Sequence, residues 1–272
     1  MDAETRLYGV IGFPVRHSLS PAMHNAAFRE LGINAVYLAF EVPPERLGMA
    51  VDGVRGLGVK GLNVTMPHKT AVMEHIDGLS GDAEEIGSVN TIVNEGELLG
   101  YNTDGIGARR ALEMVTRLEG KDVLVLGAGG AGRAIAYELS KTSNVVVLNR
   151  TPGKARALER FGVIGDALTA DNLRRYIREA DILINATSVG MNSDESPVPA
   201  DLLREGLVVM DVVYKPLRTR LLREAAERGC VTVDGLWMLV HQGAESFRLW
   251  TGKKVDPELM RGAALEGLRK GW

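Results

Sequence analysis

Residues 121–151 read KDVLVLGAGGAGRAIAYELSKTSNVVVLNRT. Residues 122–126 form a short run of β-branched residues and leucine, which predicts a buried strand. Gly127, Gly129 and Gly132 follow at once in G-x-G-x-x-G spacing, residues 133–140 have helical periodicity, and residues 145–148 read as a second buried strand. Each glycine has a physical task. The first permits the tight turn out of the strand, the second lets backbone approach a pyrophosphate, and the third lets helix and strand pack closely. The N–H groups and positive dipole end of the helix then face a diphosphate. Glycine-rich turns also arise for structural reasons alone. Here strand, glycines, helix and second strand occur as one unit, which predicts a dinucleotide-binding turn made by Gly127, Ala128, Gly129, Gly130, Ala131 and Gly132.

The end of the second strand bears on which dinucleotide. An NAD site usually places Asp or Glu there for the ribose 2′-hydroxyl. This chain has Asn149, Arg150, Thr151 and then Lys154. A guanidinium, a hydroxyl and an ammonium suit a 2′-phosphate, which a carboxylate would repel. The two cations could instead be solvated charges opening the next helix, but cations at a helix start oppose its dipole. The reading is therefore NADP.

The chain has 272 residues, enough for two modest domains. A formal net charge of −3 gives no reason to expect nucleic acid or an acidic membrane as partner. Cys230 is the single cysteine, which excludes an intrachain disulfide and fits a reducing compartment. No apolar run approaches the ~20 residues that span a bilayer, and the first residues lack a basic region followed by a long apolar one. The expectation is a cytoplasmic protein, with no metal site, no nucleic acid and no membrane among its partners.

Before the glycine turn, residues 7–11 predict a strand broken by Gly12, Phe13 and Pro14. HSLSPAMHNAAFRELG follows, with Ser20 as N-cap, Pro21 as first helical residue and Gly32 as the stop. Ser18 and Ser20 could grip a carboxylate at that helix mouth, or simply cap it. Strands at 37–42 and 61–65 flank a crossover helix at 44–57. The second of these strands ends in Thr65, and polar residues at the carboxyl end of such a strand are where ligands bind. Lys69 is expected to open the next helix, where cation and dipole disagree. His68 reads as a general base or, more simply, a surface residue. Residues 88–93 and 98–101 predict a hairpin about an Asn94-Glu95-Gly96 turn. Asp104 then caps a helix running to Leu118.

After the glycine turn, a weak strand at 163–164, a helix at 170–180 and a strand at 181–185 lead to NATSVGM. A strand at 207–214 arrives at Tyr214, which could be core with its hydroxyl on the rim. A helix at 219–228 reads as a solvated face. A strand at 231–233 ends at Gly235, and helices at 236–250 and 257–272 close the chain. Gln242, beside the apolar stripe of the first of these helices, could be plain surface.

Eight segments, HSLSP, NVTMPHK, VNT, GYNTDG, GAGGAGR, NRT, NATSVGM and HQGAESF, resemble the shikimate dehydrogenase family in that order, from about Gly9 to Trp250. The resemblance implies an α/β protein of two domains. Residues 1–104 with 236–272 would form a mostly parallel α/β substrate domain, and 105–235 a Rossmann NADP-binding domain. It implies reversible NADPH-dependent reduction of 3-dehydroshikimate to shikimate, in aromatic amino-acid biosynthesis. By the same resemblance Lys69 and Asp104 form the catalytic pair. Ser18 and Ser20 hold the substrate carboxylate with Tyr214 near it, and Thr65, Asn90, Asp104 and Gln242 bind ring hydroxyls. The turn 127–132, residues 149–154, Ala186, Thr187, Val212 and Gly235 line the cofactor. Val212 is a departure, since the family often has Met two positions before the tyrosine. A dual quinate/shikimate dehydrogenase and a non-catalytic sensor on the same fold are the alternatives. A homodimer is an assembly the resemblance leaves open.

Overall fold

A computed structural model of the chain describes residues 1–270. It divides into two compact units, residues 1–103 with 242–272, and residues 104–241. The first begins with β1 (Arg6–Gly12), α1 (Ser20–Glu30), β2 (Ala35–Glu41), α2 (Leu47–Gly56) and β3 (Gly61–Val64). It continues with β4 (Gly78–Leu79), α3 (Gly81–Ile86), β5 (Thr91–Asn94) and β6 (Leu98–Tyr101). The sheet order is β2-β1-β3-β5-β6-β4. β1 runs parallel to β2 and β3, β5 is antiparallel to both β3 and β6, and β4 is parallel to β6. Five strands therefore share one direction and only β5 is reversed; the crossovers through α1 and α2 keep β1, β2 and β3 parallel, and the tight β5–β6 hairpin turns the chain back.

The second unit contains α4 (Asp104–Glu113), β7 (Asp122–Leu126), α5 (Gly130–Ser140), β8 (Asn144–Asn149), α6 (Pro152–Arg156) and β9 (Ile164–Ala167). Then come α7 (Ala170–Glu179), β10 (Ile182–Asn185), β11 (Val208–Asp211), α8 (Arg220–Glu227) and β12 (Val231–Val233). Its sheet order is β12-β11-β10-β7-β8-β9, with every pair parallel. This is the doubly wound Rossmann order, with its switch point between β7 and β10. Helix α9 (Gly235–Thr251) carries the boundary between the units within it, and α10 (Pro257–Arg269) belongs to the first.

Side-chain alternation explains both cores. In β7, Val123 and Val125 pack with Ile135 and Leu139 of α5 on one face. Leu124 and Leu126 pack with Leu173 and Ile177 of α7 on the other. A parallel sheet covered on both faces needs such unbroken apolar strands. In the first unit, Ile11, Leu62, Val64 and Ile92 meet Val51 and Val54 of α2. The opposite face is aromatic: Tyr8 lies 5.1 Å from Phe28 and 5.4 Å from Trp250, ring centre to ring centre. The Trp250 indole N–H donates to the Ile92 carbonyl at 2.9 Å, which ties α9 to this sheet.

Several local expectations are corrected. Residues 66–70 are turn, leading into a 3₁₀ helix at Ala71–His75, so Lys69 opens no α-helix and the dipole argument at that position falls. His68 is buried, with Nε2 2.7 Å from the Val42 carbonyl, which makes it a structural donor and not a surface residue. Leu19 is the N-cap of α1 and Ser20 its first residue, with no side-chain cap. Asp104 is likewise the first residue of α4, which ends at Glu113 and not at Leu118. The strand expected at 207–214 ends at Asp211, and the weak strand at 163–164 is Ile164–Ala167. Gly235 starts α9 instead of ending a strand, because the Asp234 carboxylate accepts the Leu236 N–H at 3.1 Å. α8 is not merely a solvated face, since Leu221, Leu222 and Ala225 are buried. The last helix ends at Arg269, and its expected end, Gly271 and Trp272, lies outside the described residues.

Candidate active site and cofactor site

In the first unit the polar candidates collect at one end of the sheet. β1 and β3 both finish there, and β5, being reversed, starts there. The Val64 N–H donates to the Asn90 carbonyl at 2.9 Å, so Thr65 leaves β3 beside Asn90. The Val89 N–H donates to the Lys69 carbonyl at 2.8 Å, which fixes the Lys69 backbone against the same segment. Ser18 and Ser20 follow β1, and Ser18 Oγ accepts the Ser20 N–H at 3.3 Å.

Asn90 is buried at the centre of a hydrogen-bonded cluster. Its Oδ1 accepts the Thr103 N–H at 2.8 Å and the Thr91 hydroxyl at 3.0 Å. Its Nδ2 donates to Thr103 Oγ1 at 3.0 Å and to Gln242 Oε1 at 3.3 Å. Ser246, one turn beyond Gln242 on α9, lies 2.8 Å from Thr91 Oγ1 and takes Asn63 Nδ2 at 3.1 Å. Buried polar atoms without partners cost roughly 1–3 kcal/mol each, so a closed cluster like this holds Asn90 and Gln242 in one geometry. Beneath it, His24 stacks on Tyr37 at 4.4 Å, and burial pushes its imidazole down to about 3, so it is neutral.

In the second unit the predicted turn forms. Gly127 has φ +104°, the left-handed region that favours glycine. A Cβ on Gly132 would stand 2.0 Å from the Gly127 carbonyl oxygen, so helix and turn approach too closely for any side chain. Gly129 differs, because a Cβ there would meet nothing within 4 Å. The protein's own packing therefore does not require glycine at that position, whereas a pyrophosphate against the backbone would. Gly129 is the N-cap of α5, and Gly130 and Ala131 begin its first turn, whose N–H groups have no intrahelical acceptor.

Asn149 Oδ1 accepts the Ala128 N–H at 3.1 Å, coupling the end of β8 to the turn. Arg150, Thr151 and Lys154 follow, all exposed, and no carboxylate stands among them. Thr151 precedes α6 without a side-chain capping bond. Ala186 and Thr187 lie against the turn, since the Ala186 N–H donates to the Leu126 carbonyl at 2.8 Å. Val212 and Gly235 also meet: a Cβ on Gly235 would fall 2.4 Å from the Val212 carbonyl oxygen. The residues fit an NADP group by chemistry, with the backbone turn for the diphosphate and two cations with a hydroxyl for a 2′-phosphate.

Asp104 and Tyr214 also belong to this unit. Asp104 follows Thr103, the residue whose N–H is held by Asn90. Tyr214 lies just past β11, and burial raises its phenol above the ordinary range. Asp211, which no sequence motif marks, anchors that stretch. Its carboxyl accepts from Asn185 Nδ2 at 2.9 Å, the Val213 N–H at 3.0 Å and the Thr219 hydroxyl at 2.7 Å. Burial pushes it up to about 6 against the pull of these three donors. Asn63, Thr91, Thr103 and Ser246 lie inside quoted segments and Tyr37 inside a predicted strand, but only their hydrogen-bond partners reveal what they do.

Two α/β units, one with a Rossmann sheet and a 2′-phosphate-compatible turn, define the class: a two-domain NADP-dependent oxidoreductase. Comparison with known proteins carries this further. Family models match in order: "Shikimate dehydrogenase substrate binding domain" at residues 10–92, "Shikimate / quinate 5-dehydrogenase" at 109–196 and "Shikimate 5'-dehydrogenase C-terminal domain" at 235–265. The chain is 72% identical to the NADP(+) shikimate dehydrogenase of Thermococcus kodakarensis, over 98% of each chain. It is 63% identical to that of Pyrococcus furiosus, over 99% of each. The shikimate 5-dehydrogenase of Thermus thermophilus, crystallised with NADP(H) and shikimate, superposes with a TM-score of 0.90 at 44% identity, over 97% of this chain and 100% of that one. The chain belongs to the shikimate dehydrogenase family.

Proposed function

We propose that Lys69 and Asp104 manage the proton, and Arg150 selects the cofactor, in the reaction this chain catalyses: the reversible NADPH-dependent reduction of 3-dehydroshikimate to shikimate. The hydride is supplied by NADPH when bound. The rest falls to side chains. Hydride addition to a ketone places negative charge on its oxygen, and a nearby proton donor must stabilise and then neutralise it. Lys69 donates that proton, and in the reverse direction takes it back from the hydroxyl. Asp104 holds the same hydroxyl and orients the ammonium. Asn90, Gln242 and Thr65 bind the ring hydroxyls, while Ser18 and Ser20 hold the carboxylate with Tyr214 beside it. On the cofactor side, the turn 127–132 takes the diphosphate and Asn149, Arg150, Thr151 and Lys154 the adenosine 2′-phosphate. Ala186, Thr187, Val212 and Gly235 complete that wall.

The observation that supports the substrate reading most is the cluster about Asn90 and Gln242, which presents fixed amides at the sheet end where Thr65 and the serines arrive. For Ser20 the assignment is also favoured over capping, because Leu19 takes the cap position and Ser20 is the first residue of α1. Ser18→Ala and Ser20→Ala should each raise KM for shikimate about two- to a hundredfold and leave KM for NADP unchanged, since one lost hydrogen bond costs about 0.5–3 kcal/mol. A lower melting temperature with unchanged KM would return both serines to a structural role. No helix among the described residues is long and apolar enough to cross a membrane. A cytoplasmic enzyme and a homodimer complete the proposal, and sedimentation at assay concentration tests the dimer.

A further inference from the structure

We infer that Asp211 and Asn185 are positioning residues for the cofactor, a buried carboxylate–amide pair that sets the stretches 186–189 and 212–214 in register with each other. This rests on the assignment of Thr187 and Val212 to the cofactor wall. Asn185 and Asp211 are register partners at the ends of the parallel strands β10 and β11, so their side chains leave the same face of the sheet. Beyond each of them the chain is neither helix nor strand. Side-chain bonds therefore hold what no ladder holds. Their directions follow from chemistry. Asn185 Oδ1 accepts the Thr187 N–H at 3.1 Å, and an N–H only donates, so the amide face is fixed. The Thr187 hydroxyl donates to the same oxygen at 2.6 Å. Asn185 Nδ2 then donates to the Val189 carbonyl at 3.2 Å and to Asp211 Oδ1 at 2.9 Å.

Asp211 Oδ1 also accepts the Val213 N–H at 3.0 Å, so both stretches meet at one oxygen atom. Thr187 hangs from it through Asn185, and Val212 lies between Asp211 and the bonded Val213. The second oxygen has a different task. Oδ2 accepts the Thr219 hydroxyl at 2.7 Å, and Thr219 caps α8 by accepting the Leu222 N–H. The groups facing the carboxyl are thus Asn185 from β10, the Val213 N–H from its own segment and Thr219 from the α8 cap. All three are neutral donors, and burial pushes the carboxyl up to about 6. What the wall needs from Asp211 is the acceptor Oδ1 and not the charge. An asparagine here would supply that oxygen, and its N–H could turn to Thr219 Oγ1, since a hydroxyl accepts as well as donates. Both stretches are in place before the cofactor arrives, so their ordering cost is met before binding.

Titration calorimetry with NADP on the full-length protein tests this. Asp211→Ala should raise Kd about tenfold, and Asp211→Asn, which restores the acceptor, should stay within about threefold of wild type. Thr219→Val loses the bond to Oδ2 and the α8 cap, so it should lower the melting temperature. It should still leave Kd within about twofold, because Oδ1 keeps both of its donors. Unchanged Kd in Asp211→Ala overturns the anchor. So does an Asp211→Asn variant as weak as Asp211→Ala, or a Thr219→Val variant as weak as Asp211→Ala. Val212→Ala trims the wall and touches none of these bonds, and several-fold weaker binding is expected. Unchanged Kd there removes the wall assignment, and the anchor with it. If Asp211→Ala does not fold, Asn185→Ser takes its place, since a serine is too short to join Thr187 to Asp211. A rise in Kd of about tenfold then supports the anchor, and an unchanged Kd overturns it.

Discussion

Lys69→Ala is expected to lower kcat by about 10²–10⁴, the usual range for a positioned acid–base group. KM for shikimate should change little, because a group that acts in the transition state affects kcat and kcat/KM alike. Lys69 sits in a turn, and its backbone role, accepting the Val89 N–H, survives truncation of the side chain. Asp104→Asn should lower kcat and also raise KM, since Asp104 has a binding role as well. The double variant should fall well short of the sum of the two losses, because the residues act as a unit. Steady-state NADPH formation by the three variants, with thermal melts to check folding, decides it. A folded Lys69→Ala enzyme with near wild-type kcat would reduce Lys69 to a substrate-binding or surface residue.

Arg150→Ala should weaken NADP about ten- to a hundredfold and leave NAD nearly untouched. A charge-assisted bond contributes about 1.5–3 kcal/mol, which converts to that range. Arg150 follows β8, where an NAD enzyme would carry a carboxylate, and it is exposed and able to meet the phosphate. Water screens such a contact, so the lower half of the range is the better expectation. The comparison of cofactors is the control. Distortion of the turn would weaken both, because Asn149, the preceding residue, accepts the Ala128 N–H. Equal losses for NADP and NAD would therefore place the effect in the turn and end the 2′-phosphate assignment.

The parts of this molecule that were legible in its sequence are those governed by neighbours in the chain. Strand β7, the glycine turn and α5 form a contiguous unit, and their spacing states the steric demand that Gly132 then shows against the Gly127 carbonyl. The β5–β6 hairpin was legible for the same reason, through Asn94, Glu95 and Gly96. What escaped depends on distant partners. His68 is buried only because the Val42 carbonyl, 26 residues away, receives its ring N–H. Ser20 looked like a cap because local preference favours it, but Leu19 takes the cap position and Ser20 joins the helix. Asn63 and Ser246 are separated by 183 residues, and no local pattern announces that pair. The proposed site residues follow from eight ordered motifs together, while the hydrogen bonds that hold Asn90 and Gln242 became readable only in the fold.

The most direct test of the account is the rate of NADPH formation by the purified full-length protein given NADP and shikimate, with NAD and with quinate as the parallel arms. The account predicts shikimate-dependent NADPH formation that is faster per unit concentration with NADP than with NAD, and that Lys69→Ala loses. A folded protein that forms no NADPH from shikimate, or that prefers NAD, would contradict it.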